Sequence, residues 1–226
     1  MILVPRSANK GMRASAVNRR LGGSLLPCDD NRFAAGMSAA FLGAEGRGRI
    51  RPEREWSFTK VEAITKLVGD RLSLADRSIG LWGHSAGAQF VHRFLLFKPR
   101  VKVRAAVVAG AGWYTVPDAA TQFPYGLRHP TLRFSRADVR RFLRVPLTIM
   151  RGELDTLVDG DLRQTCEARA QGTHRFDRAG HMYARARQAD PGCRWRLVDV
   201  PGVGHDWSAM AAATQAGYAA ADEGSR

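Results

Sequence analysis

The chain has 226 residues, 45% hydrophobic and 25% charged, enough for one well-filled core and in the range of a single globular domain. Its net charge of +14 comes from arginine: of 35 basic residues only Lys10, Lys60, Lys66, Lys98 and Lys102 are lysines. The arginines are scattered, and the densest runs, "RGRIRPER" and "RADVRRFLR", read as solvated faces, so no nucleic-acid partner is expected.

Other classes fall away on similar grounds. No apolar run approaches the ~20 residues of a membrane span, and "MILVP" is too short for a signal-peptide core. Cys28, Cys166 and Cys193 are odd in number and widely spaced, which argues against a disulfide framework and gives no zinc spacing. The default reading is a cytoplasmic protein with no metal.

In chain order, "MILVP" reads as a strand, "SANKGMRASAVNRR" as a helix and "GSLLPCDD" as a second strand. "REWSFTKVEAITKLVGDRL" places Trp56, Phe58, Val61, Ile64, Leu67 and Val68 close to helical spacing. "SIGLWG" is a short apolar run of the kind found in buried parallel strands, and "AGAQFVHRFLLF" follows as a helix halted by Pro99. "VRAAVVAGAGWY", "PLTIMRG" and "RWRLVDVPGVG" are further strands. Residues 115–145, broken by prolines, predict an excursion over the strand ends that finishes in the helix "RADVRRFL". "THRFDRAGHMYARAR" looks like loop and helix, and "SAMAAATQAGYAAADEG" is a closing helix with a small-residue face. Strands separated by helices predict a mostly parallel α/β sheet covered on both sides, in one domain spanning 1–226, with functional groups at the carboxyl ends of the strands.

Three of those strand ends carry chemistry. Gly83-His84-Ser85-Ala86-Gly87 is a G-x-S-x-G pentapeptide between a strand and a helix, Asp155 follows "PLTIMRG", and His205 follows "RWRLVDVPGVG". A serine hydroxyl becomes a useful nucleophile when an imidazole takes its proton, and the imidazole needs a carboxylate on its other nitrogen to fix the tautomer and stabilise the imidazolium. Ser85, His205 and Asp155 are assigned those roles. The backbone N–H of Ala86, at the helix start, would supply half of an oxyanion hole. Each residue has a plainer reading. Ser85 could be a helix N-cap; Glu153, Asp159 and Asp161 compete for the acid; His174 and His181 compete for the base. His84 is read as structural and His92 as a packed or surface histidine.

"LWGHSAGAQFVHRFLLF", "AGWYTVPD", "FPYGL", "GELDT" and "RWRLVDVPGVGHD" together resemble bacterial α/β-hydrolases of the polyhydroxybutyrate depolymerase-like and feruloyl-esterase-like kind, over about residues 53–210. The resemblance implies the same Ser85, Asp155 and His205, a small-molecule ester substrate, no cofactor, and an acyl pocket bordered by Trp113, Tyr114, Phe123 and Tyr125. Packing under the excursion is the alternative for those aromatics. Residues 1–52 depart from the pattern. "MILVP" stands where a third strand belongs, no His-Gly pair follows it, and Ser7 stands where the second oxyanion donor belongs, so the chain reads as shortened there. Loss of the first strands would leave a sheet edge open to a homodimer, and a weak oxyanion hole would make the chain a poorly active or inactive binding protein of the same fold.

Overall fold

A computed structural model of the chain describes residues 2–4, as backbone, and residues 50–223. The predicted helix "SANKGMRASAVNRR", the strand "GSLLPCDD" and Ser7 lie outside the described residues.

Five parallel strands form one sheet in the order β1 (Ile2–Val4), β2 (Ile79–His84), β3 (Val103–Ala109), β4 (Leu147–Gly152), β5 (Arg196–Val200). Helices α1 (Ser57–Arg71), α2 (Ala86–Phe97), α3 (Arg136–Arg144), α4 (Cys166–Arg169), α5 (Arg175–Ala189) and α6 (Trp207–Glu223) connect and follow them. β1 pairs Ile2 with Leu81, Leu3 with Trp82 and Val4 with Gly83, so the "MILVP" strand lies directly beside the strand that leads to Ser85.

Strand alternation sorts the core into two layers. Leu81, Ala106, Val108, Leu147 and Ile149 face the larger layer, with Phe58 of α1, Phe90 and Phe94 of α2, Leu143 of α3 and Met182 of α5. Trp82, Val107, Ala109 and Met150 face the other layer, closed by Met210 of α6. Trp82 also donates its indole N–H to Thr214 Oγ1 of α6 at 3.0 Å. Rings dominate the larger layer: Phe58 lies 4.9 Å from Phe90 and 6.1 Å from Phe94, centroid to centroid. Each fully buried Phe or Leu contributes roughly 1.5–3 kcal/mol.

Several predicted elements differ at their ends. β3 stops at Ala109, because Gly110 turns into positive φ (57°), and "GAGWY" continues as an irregular segment. β5 ends at Val200, where Pro201 and Gly202 (φ 67°) turn the chain. The stripe on α1 is buried only at its start: Phe58 is fully buried, whereas Ile64, Leu67 and Val68 are exposed. α3 begins with a capping box, Ser135 accepting from the Asp138 N–H while Asp138 accepts from that of Ser135. Cys166 is disulfide-bonded, which corrects the reading of the cysteines, and Cys193 is a free, buried thiol. Because disulfides persist mainly in oxidising compartments, cysteine usage gives no support to a cytoplasmic location. No described helix is long and apolar enough to cross a membrane, and no group of three His, Cys, Asp or Glu among the described residues is arranged to hold a metal.

Candidate active site

Ser85 occupies the single residue between β2 and α2, at φ 56° and ψ −118°. Positive φ in a non-glycine residue is strained, and such strain is held only where the surroundings over-determine it. Two anchors do so: the Ser85 N–H donates to Ala109 O at 2.9 Å, and Ser85 O accepts from the Gln89 N–H at 3.2 Å as α2 begins. Gly83 is required by close approach. A Cβ on Gly83 would sit 2.3 Å from Gly87 O, so strand and helix backbones meet where any side chain would collide. Ser85 makes no side-chain cap bond to α2, which disfavours the plain N-cap reading and leaves its hydroxyl available. Ala86 is the first residue of α2, and the first N–H groups of a helix have no partner within it.

Asp155 is 2% exposed in the loop after β4, with its N–H donating to Gly152 O at 3.0 Å. Its Oδ2 lies 2.9 Å from Nδ1 of His205, in the loop after β5. A neutral His205 therefore carries its proton on Nδ1 and leaves Nε2 as the free base. The two loops are clamped together: the Leu154 N–H donates to Val203 O at 2.9 Å, and a Cβ on Gly152 would lie 2.2 Å from the same oxygen.

The serine turn and the His–Asp pair share one strand edge. The ring of His84, next to Ser85 in the chain, lies 4.5 Å from the His205 ring at 36°. Gly110 follows Ala109, the acceptor for the Ser85 N–H, and a Cβ there would come within 3.1 Å of Asp155 Oδ2 and of two His205 ring atoms.

The rival candidates are otherwise engaged. Asp159 takes a two-pronged ion pair from Arg175, at 2.8 Å on each oxygen, which holds its carboxyl below the usual range. Glu153 accepts from the Gly202 N–H, and Asp161 is exposed in the turn that Asp159 caps. His174 caps α5 by accepting from the Asp177 N–H. His181 lies within α5. His92 is fully buried; its Nδ1 bonds Ala88 O at 2.9 Å and its Nε2 accepts from the Thr115 N–H at 3.1 Å. Burial, then the Arg93 charge, depress its pKa to about 3.

Three of the aromatics expected to border an acyl pocket are buried, which favours the packing alternative. Trp113, Tyr114 and Tyr125 are 1%, 0% and 3% exposed. The segment after β3 must fill the space between α2 and α5, and these rings do that. The Trp113 ring lies 4.8 Å from that of Tyr125, tilted by 54°, and covers the Arg93 guanidinium at 4.0 Å. The Tyr125 hydroxyl meets Thr165 Oγ1 at 2.7 Å, and the Tyr114 main chain exchanges two 2.8 Å hydrogen bonds with the Gln171 amide. Phe123, also on that segment, packs edge-on against Phe97.

Three participants carry no readable motif: Gly110, His84 as a wall for His205, and Arg175, which touches both Asp155 and Asp159. Each acts through a partner far along the chain, so only "AGAG" after a strand hinted at the first.

No protein-family model and no curated protein matches the chain. Among solved structures, it is 35% identical to poly(aspartic acid) hydrolase-1 from Sphingomonas sp. KT-1, with 80% of this chain and 71% of that one covered and a TM-score of 0.73. It is 32% identical to LpqC, the poly(3-hydroxybutyrate) depolymerase from Bordetella parapertussis, with 76% of this chain and 60% of that one covered and a TM-score of 0.67. Both neighbours are hydrolases, and the parallel sheet, the serine elbow and these identities together show that the chain belongs to the α/β-hydrolase family.

Proposed function

We propose that the chain is a serine hydrolase that cleaves carboxylic esters through an acyl-enzyme, with Ser85 as nucleophile, His205 as base and Asp155 as the carboxylate that orients it. The observation that carries the reading is the strained Ser85 turn, at φ 56°, on the same strand edge as a 2.9 Å His205–Asp155 pair with a buried acid. His205 Nε2 accepts the Ser85 proton as the hydroxyl oxygen attacks the ester carbonyl. Asp155 stabilises the imidazolium that forms, and the Ala86 N–H donates to the oxyanion. The tetrahedral adduct collapses as His205 gives its proton to the departing alkoxide oxygen. Water, activated by the same nitrogen, then attacks the acyl-serine and releases the acid. The route uses no metal or organic cofactor.

A second reading concerns the leaving group. The net charge of +14 favours an anionic substrate, and one 35%-identical neighbour is named as a hydrolase of poly(aspartic acid). The same triad would then cleave amide bonds of an acidic polymer. Hydrolysis of p-nitrophenyl acetate, poly(3-hydroxybutyrate) and poly(aspartic acid) by the purified chain, each beside Ser85→Ala, separates the readings. Ester turnover that Ser85→Ala abolishes supports the first. Serine-dependent release from poly(aspartic acid) alone, weakening as salt rises, moves the assignment to the second. Fluorophosphonate labelling at Ser85 without turnover of any of the three identifies a hydrolase fold that binds and does not catalyse.

A further inference from the structure

Arg175, the first residue of α5, is 1% exposed, and its guanidinium lies between two carboxylates of the loop after β4. Both of its Nη groups pair with Asp159 at 2.8 Å, while Nη1 stands 3.6 Å from Asp155 Oδ1. That oxygen is buried and has no hydrogen-bond partner among the described residues, whereas Oδ2 faces His205. The backbone adds a tie: the Phe176 N–H, next along α5, donates to Asp155 O at 3.3 Å. The start of α5 therefore holds the Asp155 loop by its main chain and faces its carboxylate with a positive charge.

We infer that Arg175 is a positioning residue for the Asp155–His205 pair: locked on Asp159, its guanidinium presents a buried charge to Asp155 and fixes the loop that carries it. The inference rests on the serine-hydrolase reading above. A buried carboxylate with one oxygen unbonded is costly to keep ionised, and a nearby cation offsets that cost. A guanidinium that gave its fork to Asp155 would draw the negative charge away from His205. Asp159 takes both donors instead, so Asp155 feels the cation while Oδ2 stays directed at the imidazole. Asp155, Arg175 and Asp159 together carry one negative charge, which faces the imidazolium formed in catalysis.

The charged and titratable groups around this centre come from every neighbouring element. Among the described residues they include Asp159 after β4, His205 and Asp206 after β5, His84 at the end of β2, Tyr114 after β3, and Arg178 one turn along α5. Arg175 and Asp159 act on His205 with opposite signs. Removing the cation favours the imidazolium, and removing the anion disfavours it.

The test is the pH dependence of fluorophosphonate labelling of Ser85, with kcat/KM on p-nitrophenyl acetate, in wild type, Arg175→Gln, Arg175→Lys and Asp159→Asn. In Arg175→Gln the acid limb, where His205 must be neutral, moves up by about 0.5 unit or more; in Asp159→Asn it moves down by a similar amount. Arg175→Lys keeps the charge and loses the fork, so its limb stays near wild type while kcat falls several-fold. Limbs that coincide with wild type in both Arg175→Gln and Asp159→Asn, or that move in the same direction, overturn the inference. If Arg175→Gln does not fold, Asp159→Asn decides alone, since the Asp159 side chain is 42% exposed. Wild-type protein that is not labelled at Ser85 overturns the serine-hydrolase reading and this inference together, whereas labelling with unmoved limbs overturns only the inference.

Discussion

Ser85, Gly110 and Asp155 define the candidate site at the scale of single residues, and each depends on a contact another residue permits. A non-glycine residue at positive φ costs of order 1–3 kcal/mol, and at Ser85 that strain lifts the hydroxyl out of the helix it precedes. Gly110 holds the His205–Asp155 pair by lacking a side chain. Gly110→Ala, at φ 57° and with 3.1 Å contacts to both members of the pair, is expected to lower stability by about 1–3 kcal/mol. It should also reduce kcat/KM at least tenfold while Ser85 remains labelled by a fluorophosphonate. Urea unfolding together with steady-state kinetics measures both, and wild-type kinetics in this variant would mean that the pair is not packed as described. The strand-end positions of Ser85, Asp155 and His205 were legible in the sequence because each follows a recognisable apolar run. Arg175 and Gly110 were not, because their roles are set by side chains 16 to 95 positions away that only the sheet brings near.

At the scale of elements, α2 shows what the hydrophobic pattern reveals and what it hides. Its apolar run and the stop at Pro99 predict a helix, and residues 87–96 of that helix are all buried. The pattern did not show that two polar residues inside that run, His92 and Arg93, brace the segment after β3. His92 accepts from the Thr115 N–H, and Arg93 donates to Thr115 Oγ1, which in turn donates to Pro124 O. A folded-state pKa of about 3 for His92, against about 6.5 for an unfolded histidine, fixes a pH dependence. The unfolded chain binds the extra proton below about 6.5, so this contribution is full above that pH and is lost progressively as pH falls toward 3. The urea midpoint should drop between pH 7.5 and 4.5, and the drop should be smaller in His92→Asn. An equal drop in both proteins would move the origin of the acid sensitivity elsewhere. α1 gives the opposite lesson: helical spacing located it, but Ile64, Leu67 and Val68 of its stripe are exposed.

Charge is the property of the whole molecule that most invites a wrong partner. Part of the arginine excess lies inside the fold: Arg93, Arg175 and Arg178 are each at most 1% exposed and bond to Thr115, Asp159 and the Gly112 carbonyl respectively. Burial, then repulsion from a neighbouring arginine, lower the pKa of Arg93 to about 9 and that of Arg178 to about 10. Such residues brace loops and contribute nothing to a phosphate-binding surface. Filter binding at physiological salt should therefore show no saturable association with duplex DNA or single-stranded RNA, and sub-micromolar affinity with a steep salt slope would overturn this. The parallel sheet was legible from composition and strand order together, since apolar runs ending in glycine or proline recur between helices. For the aromatics of the β3–α3 segment the sequence left packing and pocket-lining open, because loop and core aromatics look alike in sequence. The account as a whole turns on one hydroxyl. Fluorophosphonate treatment of the wild-type chain, with mass spectrometry of the peptide that gains the adduct, should place the label on Ser85, and Ser85→Ala and His205→Ala should lose labelling and esterase activity alike while unfolding as wild type does. Labelling at another residue, or a Ser85→Ala protein that keeps its activity, would contradict the account.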